Sequence, residues 1–473
     1  MDRQQLGESS AKRLRRYDPV DQLLLKEYGQ RLEFLDREEA LTLSSSSTIF
    51  VVGQMRALAA FASDPKCVVA KGVMRQINDF VRAEAGSPSR ASQTVAFVRE
   101  TDGLRKVVVV GVPEEATRNN NSARPDAVSK ALVKFPQFTG MDDEPFGVYA
   151  LGYTAEDALV TAMATAKEKP VPVRYIKAIE GVAGRLRDRL GSDIGLEVIK
   201  GQELERRGFG GLWNVGKACT ANPPALVVLS WNASNAKPDD KSIVLVGKGI
   251  VYDTGGLALK TKDGMMGMKT DMGGSAGLLG AFAALVETKA IVNKSLYFIG
   301  CLAENSIGPD SYRHGDVIEM YSGLTVEINN TDCEGRLVLA DGVAYAAKHL
   351  NPELIIDMAT LTYAQGVATG LTHGAIFSNC ADTEKKAFEA GRRSGDLVFP
   401  VLFCPEVHKP QQPTPGAGCS CAGLFIYENL IAAAGGDSVK FLHVDMAAVC
   451  SNLEGRASGF GVALVSQLLG ALD

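Results

Sequence analysis

Histidine is scarce in this sequence, with five among 473 residues. The nearest two, His349 and His373, are too far apart for the His-Glu-x-x-His pair of a helical zinc peptidase. Long apolar runs are missing as well. The longest apolar stretch without charge, Met272–Val286, falls short of the roughly 18–20 residues that a spanning helix needs, so no membrane segment is expected. An excess of basic charge is also absent: 50 Lys and Arg face 55 Asp and Glu, for a net charge of -5. That balance argues against a dedicated nucleic-acid binder, and the basic cluster Lys12, Arg13, Arg15 and Arg16 reads as a solvated face. The opening MDRQQLGESS lacks the apolar core of a secretory signal, so no leader is expected. Nine Cys scattered from Cys67 to Cys450 do not form a disulfide framework. Cys419 and Cys421 lack a second ligand pair at zinc-site spacing and read as unmetallated loop residues. A reducing cytoplasm is the expected compartment.

What is present is the pattern of a globular α/β chain. Apolar residues make up 46% of it, and its 49 Gly follow no period of three, so neither disorder nor a collagen repeat fits. Ser47–Gly53, Thr94–Glu100 and Lys106–Val112 read as strands, with helices over Asp126–Val133 and Ala155–Lys167. The stretch KEKPVPV at Lys167–Val173 reads as a linker, followed by an amphipathic helix over Arg174–Leu190. Beyond it, Ala225–Trp231, Ser242–Gly247, Ser295–Leu302, Thr325–Ile328, Glu353–Met358 and Lys440–Val444 are strand-like. Helices are expected near Ala276–Val286, Leu337–Leu350 and Lys385–Arg393. Two α/β domains follow, residues 1–170 and 171–473, the larger built on a mixed, mostly parallel sheet flanked by helices.

Two short motifs carry little weight. Gly273–Gly277 spells G-x-S-x-G, but MGMKTDM before it is not the strand that a nucleophile elbow requires. Gly211–Lys217 spells G-x-x-x-x-G-K, yet Ala218 stands where a phosphate loop needs a hydroxyl. Two longer stretches concentrate chemistry. One runs from Val246 to Gly274, beginning where a predicted strand ends, and offers Lys248, Asp253, Lys260 and Asp271 among many glycines. Open α/β sheets bind ligands just beyond the carboxyl ends of their strands. The other is Asn330–Arg336, where an extended chain would project Asp332, Glu334 and Arg336 from one side. On its own that stretch also reads as a surface turn, with Asp332 capping a helix and Arg336 paired to Glu334. Four carboxylates from two loops favour oxygen ligands around a pair of divalent ions, with Lys248 a ligand only as a neutral amine of lowered pKa.

These stretches resemble the leucyl aminopeptidase, or cytosol aminopeptidase, family of dinuclear-metal peptidases. NTDCEGRLVLADG at Asn330–Gly342 is similar to the family signature, with Cys333 in place of the usual Ala. The spacing from Lys248 to Asp253, Lys260 and Asp271 is that of the other metal loop, and MATLT and GRASGFGVAL are further family stretches. The resemblance implies one metal held by Lys248, Asp253, Asp271 and Glu334. It implies a second held by Asp253, Asp332 with its main-chain carbonyl, and Glu334. The ions would be Zn or Mn, with Mg or Co as further options. Lys260 would polarise the scissile carbonyl and Arg336 would hold a bicarbonate that serves as general base for a bridging water. Asp271 would help bind the substrate α-amine, and Met268, Thr360, Leu361 and Tyr363 would line the substrate site. The resemblance further implies peptide substrates, a homohexamer arranged as a dimer of trimers, and an N-terminal domain for assembly or access control.

The chain departs from the family in three places. Tyr363 replaces a small Gly, which bears on the expected preference for Leu or another neutral residue. The stretch between His408 and Pro413 is shorter than usual, and an Asp-Thr-Pro-type segment is missing around Ala166–Pro172. A narrow-scope dipeptidase such as a cysteinylglycinase, or a non-catalytic binding protein on the same fold, remain the alternatives.

Overall fold

The computed structural model describes residues 48–63, 71–84, 91–100, 103–113, 125–132, 134–135 and 146–151, then 194–470 except 234–235, 238–239, 292, 405–416 and 452–456. The expected helices over Ala155–Lys167 and Arg174–Leu190, the linker between them, the basic cluster at Lys12–Arg16 and the two shortened stretches lie outside the described residues. The chain divides into two units, one of Met1–Glu115 with Ala127–Val173 and one of Ala116–Asp126 with Arg174–Asp473.

In the first unit, β1 (Thr48–Gln54) is followed by helices α1 (Met55–Ser63) and α2 (Lys71–Ala83). Then come β2 (Ser92–Glu100), β3 (Gly103–Val112), α3 (Pro125–Leu132) and β4 (Phe146–Leu151). The sheet order is β2-β3-β1-β4, with β1 parallel to β3 and β4. Both faces of β1 and β3 are apolar because both are covered. Phe50, Val52, Val108 and Val110 pack in one cluster with Val128 and Leu132 of α3, while Val51, Val107 and Val109 share the other with Leu58, Val73 and Ile77.

The second unit opens with β5 (Ile194–Lys200), α4 (Gln202–Arg206), α5 (Gly210–Gly216), β6 (Ala225–Asn232) and β7 (Ser242–Asp253). Next come α6 (Lys262–Met265), α7 (Gly273–Thr288), β8 (Ser295–Asn305), β9 (Val317–Glu319), β10 (Thr325–Glu327) and α8 (Glu334–His349). The remainder is β11 (Pro352–Ala359), α9 (Tyr363–Thr369), β12 (Gly374–Ser378), α10 (Ala381–Ser394), β13 (Val398–Pro400), α11 (Gly418–Ala434), β14 (Lys440–Asp445) and α12 (Val462–Leu468). Eight strands form one mixed sheet in the order β13-β12-β14-β11-β7-β8-β6-β5. Its centre, β14-β11-β7-β8, is parallel, and the antiparallel pairings lie to either side.

Alternation along β7 sorts the two faces of this sheet. Ile243, Leu245 and Val251 join the cluster built with α7, α10 and α12. Val244, Val246 and Ile250 join the one built with α5, α8 and α11. Burying each such side chain contributes about 1.5–3 kcal/mol, which makes this two-sided core the framework for everything at its edge.

Several expected boundaries move, each for a physical reason. The strand predicted to end at Gly247 continues to Asp253, so Lys248 and Asp253 sit on β7 rather than in a loop beyond it. Thr325–Glu327 belongs to a separate two-stranded hairpin with β9. Gly273-Gly274-Ser275 forms the first turn of α7, preceded by a short turn at Met268–Thr270 instead of a strand, and Ser275 is buried. A Cβ on Gly274 would fall 2.0 Å from the carbonyl oxygen of Met358, so this glycine serves close helix-to-sheet packing. Gly211–Gly216 lies in α5, which excludes a phosphate loop, and Cys419 and Cys421 lie in the first turn of α11 rather than in a loop.

Asp341 of α8 fastens this framework. It is fully buried and accepts the amides of Leu212 at 2.8 Å and Tyr321 at 2.8 Å, tying α5 and the turn after β9 to the helix. Burial pushes its carboxyl up to about 7 against those amide bonds, which act to lower it. The folded protein therefore keeps a proton here between about 4 and 7 where the unfolded chain has lost it, so this group's contribution to stability falls as pH rises through that window. Asp341→Ala leaves a buried and a part-buried amide unpaired and is expected to cost about 2–4 kcal/mol in urea unfolding. The same variant should lose this part of the pH slope, and an unchanged midpoint would contradict the role.

Candidate metal centre

The polar residues singled out in the sequence meet at the carboxyl end of the parallel centre. Lys248, on the α8 face of β7, is 2% exposed, and a buried ammonium is tolerable only when opposed by charge. Its Nζ lies 2.9 Å from Asp271 Oδ2 and 2.9 Å from Glu334 Oε1. It also donates to the Thr360 carbonyl at 2.9 Å. Room for it comes from Gly335, where a Cβ would stand 2.6 Å from Lys248 Cε and 2.8 Å from Leu361 Cδ1. Asp253, Asp271 and Glu334 are all buried and bring carboxylate oxygens within 4.8 Å of one another, a spacing that one divalent ion can bridge.

Lys260 stands at the open side, 2.8 Å from Asp253 Oδ2 and 2.5 Å from Asp332 Oδ1, and so joins Asp332 to the buried group. Thr360 Oγ1 donates to Asp271 Oδ1 at 2.6 Å. Leu361 is half-buried over Gly335, and Met268 is half-buried in the turn before α7. Tyr363 opens α9 with its ring 90% exposed, so the phenol is not packed into the floor of a pocket.

The expected extended course through Asp332–Arg336 is not what forms. Cys333 is the N-cap and α8 begins at Glu334, placing an acidic side chain in the first turn, where the helix dipole favours it. Two helical residues apart, Glu334 and Arg336 point to different sides. Asp332 does not cap the helix and no Arg336–Glu334 ion pair forms. Arg336 keeps a buried Nε with no hydrogen-bond partner.

Electrostatics test whether divalent ions fit. Four carboxylates face two ammonium groups, and Glu334 Oε2 is buried with no hydrogen-bond partner. Burial, with the neighbouring carboxylates adding to it, pushes Asp271 up to about 7 and raises Glu334, while burial raises Asp332 as well. Burial acts to lower Lys248, but the charges of Asp271, Glu334 and Asp253 outweigh it and hold the ammonium above its ordinary pKa. With carboxylates facing it directly and no ion beside it, Lys248 serves as their counter-charge. An uncompensated, oxygen-rich, buried cluster of this kind fits divalent cations, which would take over that role.

Asn305, Thr331 and Tyr312, none of them named as a site residue from the sequence, join the loops. Asn305, at the end of β8, donates to Asp253 Oδ1 at 2.8 Å and to the Thr331 carbonyl at 3.0 Å. Thr331 Oγ1 donates to the Gly255 carbonyl at 2.7 Å and accepts the Ala258 amide at 2.8 Å, and Tyr312 donates to the Thr331 carbonyl at 2.6 Å. The carboxyl-end rule that pointed to the stretch after β7 applies equally to β8, and a strand extended three residues would have reached Asn305.

Fold and site define a class: a buried lysine–carboxylate centre at the carboxyl edge of an α/β sheet. Residues 165–466 match the model of the cytosol aminopeptidase family catalytic domain, and the chain belongs to that family. It is 48% identical over 298 residues to the human protein named "Probable aminopeptidase NPEPL1", covering 60% of this chain and 55% of that protein. It is 43% identical over 316 residues to "Leucine aminopeptidase 1" of Caenorhabditis elegans, covering 64% and 62%. The chain thus spans little more than half the length of the curated relatives it matches. The solved structure of C. elegans leucine aminopeptidase superposes with a TM-score of 0.76 at 31% identity, covering 90% of this chain and 96% of that one. Leishmania major leucyl aminopeptidase in complex with actinonin gives 0.74 at 30% identity, covering 97% and 99%.

Glu334→Gln is expected to remove most bound divalent metal as counted by elemental analysis, and full stoichiometry would rule Glu334 out as a ligand. Asn305→Ala should weaken metal affinity by about 10–100-fold, as loss of a ligand-orienting hydrogen bond does.

Proposed function

We propose that this chain is a metal-dependent aminopeptidase that hydrolyses the N-terminal residue from peptides. The observation that carries the reading is the buried Asp253, Asp271 and Glu334 triad around Lys248, with Lys260 beside it. In this reading Lys248, Asp253, Asp271 and Glu334 hold one divalent ion, and Asp253, Asp332 and Glu334 hold the other. When bound, the two ions supply Lewis acidity and lower the pKa of a water. Zn or Mn is the proposed pair.

The chain's own residues divide the remaining work. Lys260 is charged, since Asp253 and Asp332 outweigh the effect of burial on its ammonium, and it is half as exposed as Asp332 beside it. A fixed positive charge at the open side is placed to stabilise an oxygen on which negative charge develops. In this reading Asp271, which accepts from the Thr360 hydroxyl, receives the substrate α-amine, which restricts cleavage to the N-terminus. Arg336, with no ion pair among the described residues, retains an uncompensated guanidinium that suits a small anion such as bicarbonate, the proposed proton acceptor. Met268, Thr360, Leu361 and Tyr363 line the substrate site in this reading. The exposed Tyr363 leaves a neutral side chain such as Leu as the proposed preference.

No helix of the described residues is long and apolar enough to cross a membrane. Cytoplasmic residence is carried here from the scattered cysteines, and a homohexamer with the N-terminal unit in assembly or access control from the family resemblance.

A panel of aminoacyl amides and dipeptides, assayed with and without added Mn, tests the activity. Turnover restricted to one dipeptide would favour the narrow dipeptidase, and none by metal-loaded protein would favour a binding role. Lys260→Ala should lower kcat by about 100-fold or more with metal content retained, the scale seen when a charge-stabilising donor is removed. Equal loss of both would reduce Lys260 to a structural role.

A further inference from the structure

The loop that joins β11 to α9 touches the metal centre on one side and an aspartate outside it on the other. On the metal side, the Thr360 carbonyl accepts from Lys248, the Thr360 hydroxyl donates to Asp271, and Leu361 covers Gly335. On the far side lies Asp445, the last residue of β14, fully buried. Its Oδ1 accepts the amides of Leu361 at 3.1 Å and Thr362 at 3.3 Å, together with the Ala447 amide at 3.2 Å. Its Oδ2 accepts from the Thr362 hydroxyl at 2.5 Å. Thr362 in turn caps α9 by accepting the Gln365 amide at 3.2 Å, and the Met446 amide donates to the Ala359 carbonyl at 2.7 Å. The carboxylate's contacts go to this three-residue loop, to its own turn and to the Cys419 thiol of α11, which also lies 3.2 Å from the Thr362 hydroxyl, and it touches none of the metal-centre side chains itself.

We propose that Asp445 is a positioning residue of the peptidase site: by holding the Leu361 and Thr362 amides and the Thr362 hydroxyl, it sets where Thr360 and Leu361 meet Lys248 and Asp271. The proposal rests on the aminopeptidase reading. A loop held at one end by Lys248 and Asp271 still has freedom to rotate about that end, and the bonds to Asp445 remove it. Displacements of about 1 Å in substrate-positioning groups lower turnover by about 100-fold even when no reacting group is altered. Asparagine preserves most of the clamp, because its amide oxygen accepts the same main-chain donors and its NH2 donates to the Thr362 hydroxyl oxygen. Alanine preserves none of it.

The test compares Asp445→Ala, Asp445→Asn and Thr362→Val with the unaltered protein, all loaded with Mn. Metal content, kcat and KM for an aminoacyl amide, and hydrogen exchange at the Leu361 and Thr362 amides are measured on each. Asp445→Ala is expected to keep its metal, raise KM and lower kcat/KM by about 100-fold, and expose both amides to exchange. Asp445→Asn is expected to recover kcat/KM to within about tenfold of the unaltered protein. Thr362→Val, which removes the hydroxyl's bond to Asp445 together with the α9 cap and the Cys419 contact and leaves the carboxylate, should fall between them and should add less than its own loss when combined with Asp445→Ala. Should Asp445→Ala fail to fold, the asparagine and valine variants decide the matter by the same measurements. Unchanged kcat/KM and protected amides in Asp445→Ala, or a Thr362→Val loss that adds fully to that of Asp445→Ala, would overturn the proposal. Absence of turnover in the unaltered protein would instead count against the aminopeptidase reading, and the exchange measurement would still judge the clamp.

Discussion

The burial of one ammonium group organises this molecule. Lys248 is buried in the sheet, and the cost of that placement is met by Asp271, Glu334 and the Thr360 carbonyl. Each partner comes from a different part of the chain: the turn before α7, the first turn of α8, and the loop after β11. The demand for charge around Lys248 therefore fixes where three segments must end, and Gly335 follows from it because no side chain fits there. The resulting cluster is still short of positive charge, which is the property that suits it to divalent ions.

Around this centre the carboxyl edge of the sheet works as one surface. β7 contributes Asp253, β8 contributes Asn305 and β14 contributes Asp445, each as the last residue of its strand. Asn305 and Thr331 hold the two acidic loops together, while Asp445 holds the loop that carries Thr360 and Leu361. Rigid parallel strands beneath give these end residues fixed positions, so polar geometry is defined by packing further down.

Much of this was readable in advance because two signals agree. β-branched runs mark the strands and acidic residues gathered beyond them mark the site, so Lys248, Asp253, Asp271, Asp332 and Glu334 are legible in the sequence. The failures have specific causes. Gly247 and Gly249 suggested an end to β7, but both are sites of close packing within a continuing strand, against Ser275 and Leu302. The stretch Asp332–Arg336 was read with a period of two, whereas the favourable placement of Glu334 in a first helical turn starts α8 there. Asp341 and Asp445 act through main-chain amides of distant segments, and Asn305 through a distant carboxylate and main-chain carbonyl, and no local pattern encodes such partners.

The central claim is that the lysine–carboxylate cluster is a two-ion centre that supports hydrolysis. Its most direct test is to count divalent ions per chain by elemental analysis after equilibration with Mn or Zn and removal of free metal, with aminoacyl-amide turnover followed in the same samples. Two ions per chain are predicted, with turnover that is lost on chelation and restored when metal is returned. Protein that binds no ions, or that keeps full turnover after exhaustive chelation, would contradict the claim.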